Sequence, residues 1–292
     1  DVDSTHFQTY GHQYGKAFNA HYQAQGFHPL MVFDGMTGDC LKVELRAGNV
    51  YTSRNIVSFI GPLLSHYQKR FPSSYRIVRG DSGFAHKELY KLCETLNTNY
   101  VIRLKANATL YRLAKEVMDV FLEECSLQYS QQFYGEFEYQ AKSWDRPRRV
   151  IVQVRRKAGE LIPDYLFLVT NMETRPEMVI SLYAKRGTME NYIKECKNGF
   201  RMDKVSHKHW MTNVNRIQLM VLAYNLINGF RRLTLPHEFS KMQIETLRIK
   251  LIKIAAKRVK QSRRIMFKLC SHHPYKEVFH HCLKTIQAIQ LE

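Results

Sequence analysis

The order of segments along the chain predicts an α/β fold built on a mixed sheet, and three observations carry it. Over residues 1–126, short apolar or alternating runs bounded by turn residues give way repeatedly to apolar residues at helical spacing. Three more strand-like runs cluster over residues 129–171. After Glu173 almost every segment reads as helix. The composition suits such a fold. Of 292 residues, 45% are hydrophobic and 12% aromatic, which provides for a sizeable core and excludes a disordered or collagen-like chain.

Taken in order, the short DVDST segment comes first. Residues 28–33 (HPLMVF) and 40–46 (CLKVELR) then read as the strands of a hairpin around the turn DGMTGD. Residues 54–70 carry apolar side chains at helical spacing, with Gly61-Pro62 as an expected kink. Residues 75–79 (YRIVR) form a strand that runs into Gly80-Asp81-Ser82-Gly83. A helix over 86–96, a strand over 100–105 and a helix over 110–124 complete this part. The strand-like runs 133–139, 149–155 and 165–169 read as a small β insertion. Helices are expected over roughly 175–199, 213–233, 241–260 and 275–290. The expected divisions are a first core part over 1–126, the insertion over 127–172, a part completing the core over 173–233, and a basic helical region over 234–292.

The chain has 44 Lys+Arg against 26 Asp+Glu, a net charge of +18. Residues 183–292 alone hold 22 of these cations against 7 acids. Solvated basic helix faces are the plain reading. The asymmetry points to a polyanionic partner, nucleic acid first and an anionic membrane second. No apolar run is long enough to span a bilayer. Cys40, Cys93, Cys125, Cys196, Cys270 and Cys282 are scattered without a CxxC and read as reduced thiols of a cytosolic protein. The N-terminus has no signal-peptide pattern, and it opens at Asp1 without an initiator Met, as a fragment would.

Three acidic positions stand out. Asp1 and Asp3 share one face of a strand. Asp81 follows the strand YRIVR, where α/β folds commonly place function; alternatively it caps the helix that begins near His86. Glu190 lies in a helical stretch. At about 100° per residue, Tyr183, Arg186, Glu190, Lys194 and Lys197 fall in one stripe about 80° wide. The bland reading is ion pairing of Glu190 with Arg186 and Lys194. The sharper one is that the cations grip phosphates while Glu190 reaches a metal on the same substrate. Two aspartates and a glutamate make a hard oxygen site suited to Mg²⁺ or Mn²⁺, and a pair of such ions serves phosphodiester chemistry.

The spacing Tyr183-x2-Arg186-x3-Glu190-x6-Lys197 resembles the Y-R-E-K signature of insertion-sequence transposases of the IS4 type. DVDST, YGHQYGKAFNAHY, GFHPLMVFDG, LRAGN, RGDSGFAHKELY and YVIRLKAN resemble the IS1380-type branch. The resemblance runs through almost the whole chain. It implies an RNase H-like mixed-sheet DDE core with a β insertion and a helical C-terminal extension. It also implies the triad Asp3, Asp81 and Glu190, with Asp1 as the alternative to Asp3. Two Mg²⁺ or Mn²⁺ ions would be held there. The implied activity is strand cleavage and strand transfer at terminal inverted repeats, on target DNA or through a hairpin, by a homodimer in a synaptic complex. The compartment it implies is the bacterial cytoplasm, at the nucleoid. Tyr183, Arg186 and Lys197, with Lys194 as a further candidate, would hold terminal phosphates. In similar transposases an aromatic of the β insertion stacks on a flipped base. Trp144, flanked by Lys142, Arg146, Arg148 and Arg149, is the candidate here, packing being the alternative. The competing readings are a DNA-binding fragment that has lost catalysis with its end-recognition region, and a general RNase H-like nuclease. The pairs Cys270 with His272–His273 and His280–His281 with Cys282 read as helix packing rather than zinc ligands.

Overall fold

The computed structural model describes residues 1–123 and 128–290, with residues 119–123 described by backbone alone. Cys125 therefore lies outside the described residues. The other five cysteines are free thiols, all buried except Cys270.

The chain begins with strand β1 (Val2–Ser4), followed by β2 (Phe7–Gln8), β3 (Ala17–Asn19), β4 (Ala24–Phe27), β5 (Leu30–Phe33) and β6 (Cys40–Glu44). β1, β5 and β6 form an antiparallel sheet in that order, with Asp3 opposite Met31. The expected hairpin is β5–β6. The small sheet β2-β4-β3, inserted between β1 and β5, has no counterpart in the sequence reading. Its strands are two to four residues long, too short for a clear alternation.

Helix α1 (Ile56–Arg70) runs through Pro62. It leads to β7 (Ile77–Gly80), α2 (Lys87–Thr95), β8 (Asn99–Leu104) and α3 (Ala108–Glu123). β7 and β8 are parallel, as the intervening helix requires. Next come β9 (Gln131–Tyr139), β10 (Arg148–Arg156) and β11 (Asp164–Thr170). These are the strands read as an insertion, but they join the main layer. β11 pairs antiparallel with β8, giving a five-stranded mixed sheet in the order β7-β8-β11-β10-β9.

Alternation along the strands assigns the two faces. Leu30 and Val32 of β5 pack with α1 and α2 in one core, which also takes Val78, Tyr100, Phe167 and Val169. Met31 and Phe33 point the other way, into a second core with Met189, Ile193, Ile217 and Tyr224. Leu168, Val101 and Ile151 meet Val179 and Ile180 in a third. The all-buried LMVF of β5 is thus a strand covered on both faces.

The C-terminal part departs most from expectation. The helix expected over 175–199 is two helices, α4 (Pro176–Ala184) and α5 (Thr188–Asn198), separated by a 3-10 turn over Lys185–Gly187. Gly187 in that turn weakens a continuous helix. α6 (Trp210–Thr234) matches its prediction. The helix expected over 241–260 is wrong. Only α7 (Ile244–Leu247) and a π turn over Arg248–Ile252 are helical. The chain then forms a two-stranded ribbon, β12 (Ala256–Gln261) with β13 (Arg264–Leu269). Ser262 in the connecting turn has φ 50°, and Val259, Ile265 and Phe267 favour strand. The C-terminal region is therefore mixed rather than helical, closing with α8 (Lys276–Ala288). Cys282 of α8 is buried in the second core and donates to the Thr234 carbonyl.

Candidate active site

Asp3 points to the face of β1 that α5 and α6 cover, because Val2 faces the opposite core. Its Oδ1 accepts from the Ser4 amide at 2.8 Å, and its Oδ2 accepts from the Arg186 guanidinium at 2.7 Å. Burial pushes the Asp3 carboxyl up to about 6 against the opposing pull of Arg186. Asp81 and Glu190 push it the same way as burial, by charge repulsion. Three carboxylates from β1, the exit of β7 and α5 therefore act on one another.

Asp81 leaves β7 at the turn Gly80-Asp81-Ser82-Gly83. Its Oδ1 accepts from the Gly83 amide at 2.9 Å and caps a 3-10 turn over Ser82–Phe84. The capping reading is thus correct in kind, but the helix that starts at Lys87 has His86 as its N-cap. A Cβ on Gly83 would stand 3.1 Å from both Asp81 Oδ1 and Thr52 Cγ2, so a side chain here would have to displace these two by a few tenths of an ångström. Thr52 also shares a hydrogen bond of 3.0 Å with Ser4, which ties β1 to the loop beneath Asp81. Glu190 is exposed in the first turn of α5, where the helix end favours a carboxylate.

Asp1 is on the same face as Asp3 but is occupied differently. Its two carboxylate oxygens accept from Arg79 at 2.6 and 2.8 Å, and its side chain is 1% exposed. Arg79 also donates to the Leu182 carbonyl, so this pair fastens β1, β7 and α4 together.

Of the stripe expected on one helix, the break at 185–187 leaves two positions at the carboxylates. Tyr183 is half-buried; burial raises its phenol, Arg186 and Arg103 lower it, and Asp81 and Asp3 raise it. Arg186 is buried and bonded to Asp3, not to Glu190. Lys197 lies farther along, its ammonium 5.8 Å from the Phe7 ring centroid, and burial lowers its pKa. Lys194 is exposed.

The insertion residues are elsewhere. Trp144 is 8% exposed and packs edge-on against Tyr90 and Tyr139, with Arg148 over its ring. Its ring is covered by these neighbours, the position that the packing alternative describes. Arg148 is buried between Glu94 and Asp145, at 3.1 and 3.2 Å. Arg149 pairs with Glu136 and donates to the Met172 carbonyl. Neither guanidinium reaches the carboxylates. Asn213, Tyr224, Asn225 and Asn228 are likewise internal. The last three bind the backbone of Gly38 and Cys40 and seat α6 on the β5–β6 hairpin.

Sequence reasoning missed Tyr22 and His6. Tyr22 stacks on His6 with centroids 5.0 Å apart, and burial raises its phenol, with Asp3 and Asp81 adding to the effect. Both belong to the small-sheet segment that periodicity left blank. Among the described residues, no group of three or more His, Cys, Asp or Glu side chains is close enough to hold a metal ion. The donor chemistry nevertheless fits a hard divalent cation: Asp3, Asp81 and Glu190 present only oxygen, and their mutual repulsion is what such a charge would relieve.

A cryo-EM structure of a piggyBac transposase synaptic complex with hairpin DNA is similar to this chain over 78% of its length, at 13% identity and a TM-score of 0.47. The match takes in 45% of that chain, so the present chain spans less than half of it. No curated protein matches. The family model for the transposase DDE domain, group 1, matches residues 1–291. With a match of that extent, the chain belongs to the group 1 transposase DDE domain family.

Proposed function

We propose that this protein is a DNA transposase with an RNase H-like core that cleaves and joins strands at the ends of an IS1380-type insertion sequence, using Asp3, Asp81 and Glu190. One observation carries the reading: in a chain of this family, burial raises the Asp3 pKa, and the Asp81 and Glu190 carboxylates, from two elements distant in sequence, add to it by charge. Asp3 is preferred to Asp1, because Asp1 is held in a buried pair with Arg79.

Asp3, Asp81 and Glu190 would hold a pair of Mg²⁺ or Mn²⁺ ions, which would supply an activated water and charge stabilisation for the leaving oxygen. The chain's own groups prepare this. The Ser4 amide and Arg186 orient the Asp3 carboxylate, and the Gly83 amide orients Asp81. Tyr183 feels the charge of both aspartates, and its hydroxyl would hold a terminal phosphate. Lys197 and Lys194 on α5 offer positive charge to the strand beyond. Arg186 is assigned to positioning Asp3 rather than to phosphate. The partners in this reading are terminal inverted repeats and target DNA, with a second copy of the chain in a synaptic complex. A hairpin route needs a stacking aromatic other than Trp144.

Incubation of the chain with DNA carrying the cognate ends should give Mg²⁺-dependent nicking that Asp3→Ala, Asp81→Ala and Glu190→Ala each abolish. No nicking with the true ends supplied would sink the proposal. Salt-sensitive binding without cleavage would favour the second reading, a DNA-binding protein without catalysis. That reading draws on the separation of the carboxylates.

A further inference from the structure

Between Glu245 and Glu277 the chain carries ten Lys and Arg and no acidic residue. The ribbon β12–β13 occupies the middle of this stretch. Among the described residues, no Asp or Glu pairs with any of the ribbon's cations. All of β13 is exposed, and so is β12 apart from half-buried Val259.

Register divides the ribbon into two faces. One carries the cross-strand pairs Lys257 with Lys268, Val259 with Met266, and Gln261 with Arg264. The other carries Ala256 with Leu269, Arg258 with Phe267, and Lys260 with Ile265. Phe267 and Leu269, on this second face, line a cavity of about 350 Å³ against α8. The first face points away from it. A lone two-stranded hairpin is marginal in water, and like charges directly opposite each other, as in Lys257 with Lys268, weaken it further. Both features call for a partner that brings negative charge to the first face.

We propose that the ribbon is an arm that enters the major groove of duplex DNA with Lys257, Val259, Gln261, Arg264, Met266 and Lys268 toward the DNA. Charge complementarity names a polyanion, and shape selects the groove. The free face is a strip two strands wide that carries Lys257, Lys268 and Arg264, which suits a groove between two phosphate walls better than a flat membrane surface. The major groove admits a two-stranded ribbon. Lys257 and Lys268, at the base of the ribbon, face phosphates. Gln261 and Arg264 flank the turn, where an amide can read adenine and a guanidinium guanine. Val259 and Met266 offer apolar contact to thymine methyl groups. The inference rests on the reading of the chain as a DNA-acting protein, but it concerns binding and not cleavage.

The test uses the full chain carrying Glu190→Gln, titrated onto short duplexes enriched from a random library, over a range of KCl concentrations. Lys257→Ser with Lys268→Ser should make the slope of log affinity against log salt shallower by about 1.8, at roughly 0.9 per lost phosphate contact. Gln261→Ala with Arg264→Ala should lower the preference for the enriched sequence over a scrambled one by about tenfold. Unchanged slope and unchanged preference in variants with wild-type circular dichroism would overturn the arm. So would tighter binding to phosphatidylserine vesicles than to DNA. Methylation interference needs no variant: loss of binding on guanine N7 methylation supports the arm, and indifference to it counts against it. If the unsubstituted chain cuts no DNA while the ribbon variants still shift the slope, the arm stands and the cleavage reading falls. Intact cutting with an unchanged slope overturns the arm alone.

Discussion

Asp3 is where burial and charge meet most sharply. Its carboxyl titrates near 6 in the folded chain, against about 4 when unfolded. Below about pH 4 both states are protonated and the group contributes nothing. Between about 4 and 6 the folded state keeps a proton that the unfolded state has lost, so stability falls as pH rises; above about 6 the penalty is complete. A shift of this size corresponds to ~3 kcal/mol as an upper figure. Asp3→Asn is therefore expected to gain stability relative to the wild type between pH 4 and neutral pH, on top of a pH-independent cost from the lost Arg186 bond. Urea melts at the two pH values decide this, and an equal deficit at both would refute the electrostatic account. The same substitution should abolish nicking. Asp3 was legible as a candidate from DVDST. Its bond to Arg186 was not, because the partners stand 183 residues apart in sequence.

At the scale of elements, α5 carries Glu190, the third carboxylate of the proposed site. Its far end is anchored by Glu195, which pairs with Arg231 of α6 and also accepts from the Ile244 amide at 2.7 Å. Both partners are about 10% exposed. Removing one member of such a pair strands a buried charge, at a cost of about 3–5 kcal/mol. Glu195→Leu should therefore lower stability by about that amount, and adding Arg231→Met should recover most of it. Thermal melts of the single and double variants check this; a double variant no better than the single would mean that the Ile244 cap, not the ion pair, is what Glu195 supplies. Periodicity found α5, yet it ran the helix through Lys185–Gly187. The break turns Arg186 inward to Asp3, and only the packing of α4 and α5 on the sheet decides that.

For the whole molecule, the distribution of charge organises the prediction. Most of the net positive charge lies from Tyr183 onward, while Asp81 and Glu190 repel the Asp3 carboxylate. A divalent ion that binds only the folded chain stabilises it by mass action, by about 2.7 kcal/mol at a hundredfold excess over its Kd. Mg²⁺ or Mn²⁺ should therefore raise the melting temperature of the wild type, and EDTA should reverse the gain. Asp81→Asn should lose the response. The gain should shrink as pH falls below about 6, where a proton competes for Asp3. A rise of equal size in Asp81→Asn would place the ion elsewhere.

The sequence by itself determined the parts that depend on short-range pattern. The β5–β6 hairpin follows from apolar runs around a turn. β7 with its exit at Asp81, helices α1, α2 and α6, and the basic surplus follow from composition and periodicity. The spacing of Tyr183, Arg186, Glu190 and Lys197 was likewise readable. Tertiary structure decided what depends on distant partners. β11 pairs with β8, so the supposed insertion widens the main sheet. Trp144 fills a core instead of meeting a base. Arg79 takes Asp1 and Arg186 takes Asp3, which separates two aspartates that the strand had placed alike. Residues 256–269 form a ribbon although their cations are compatible with helix. In each case local propensity differs by a kcal/mol or less between the options, and contacts made across the fold outweigh it.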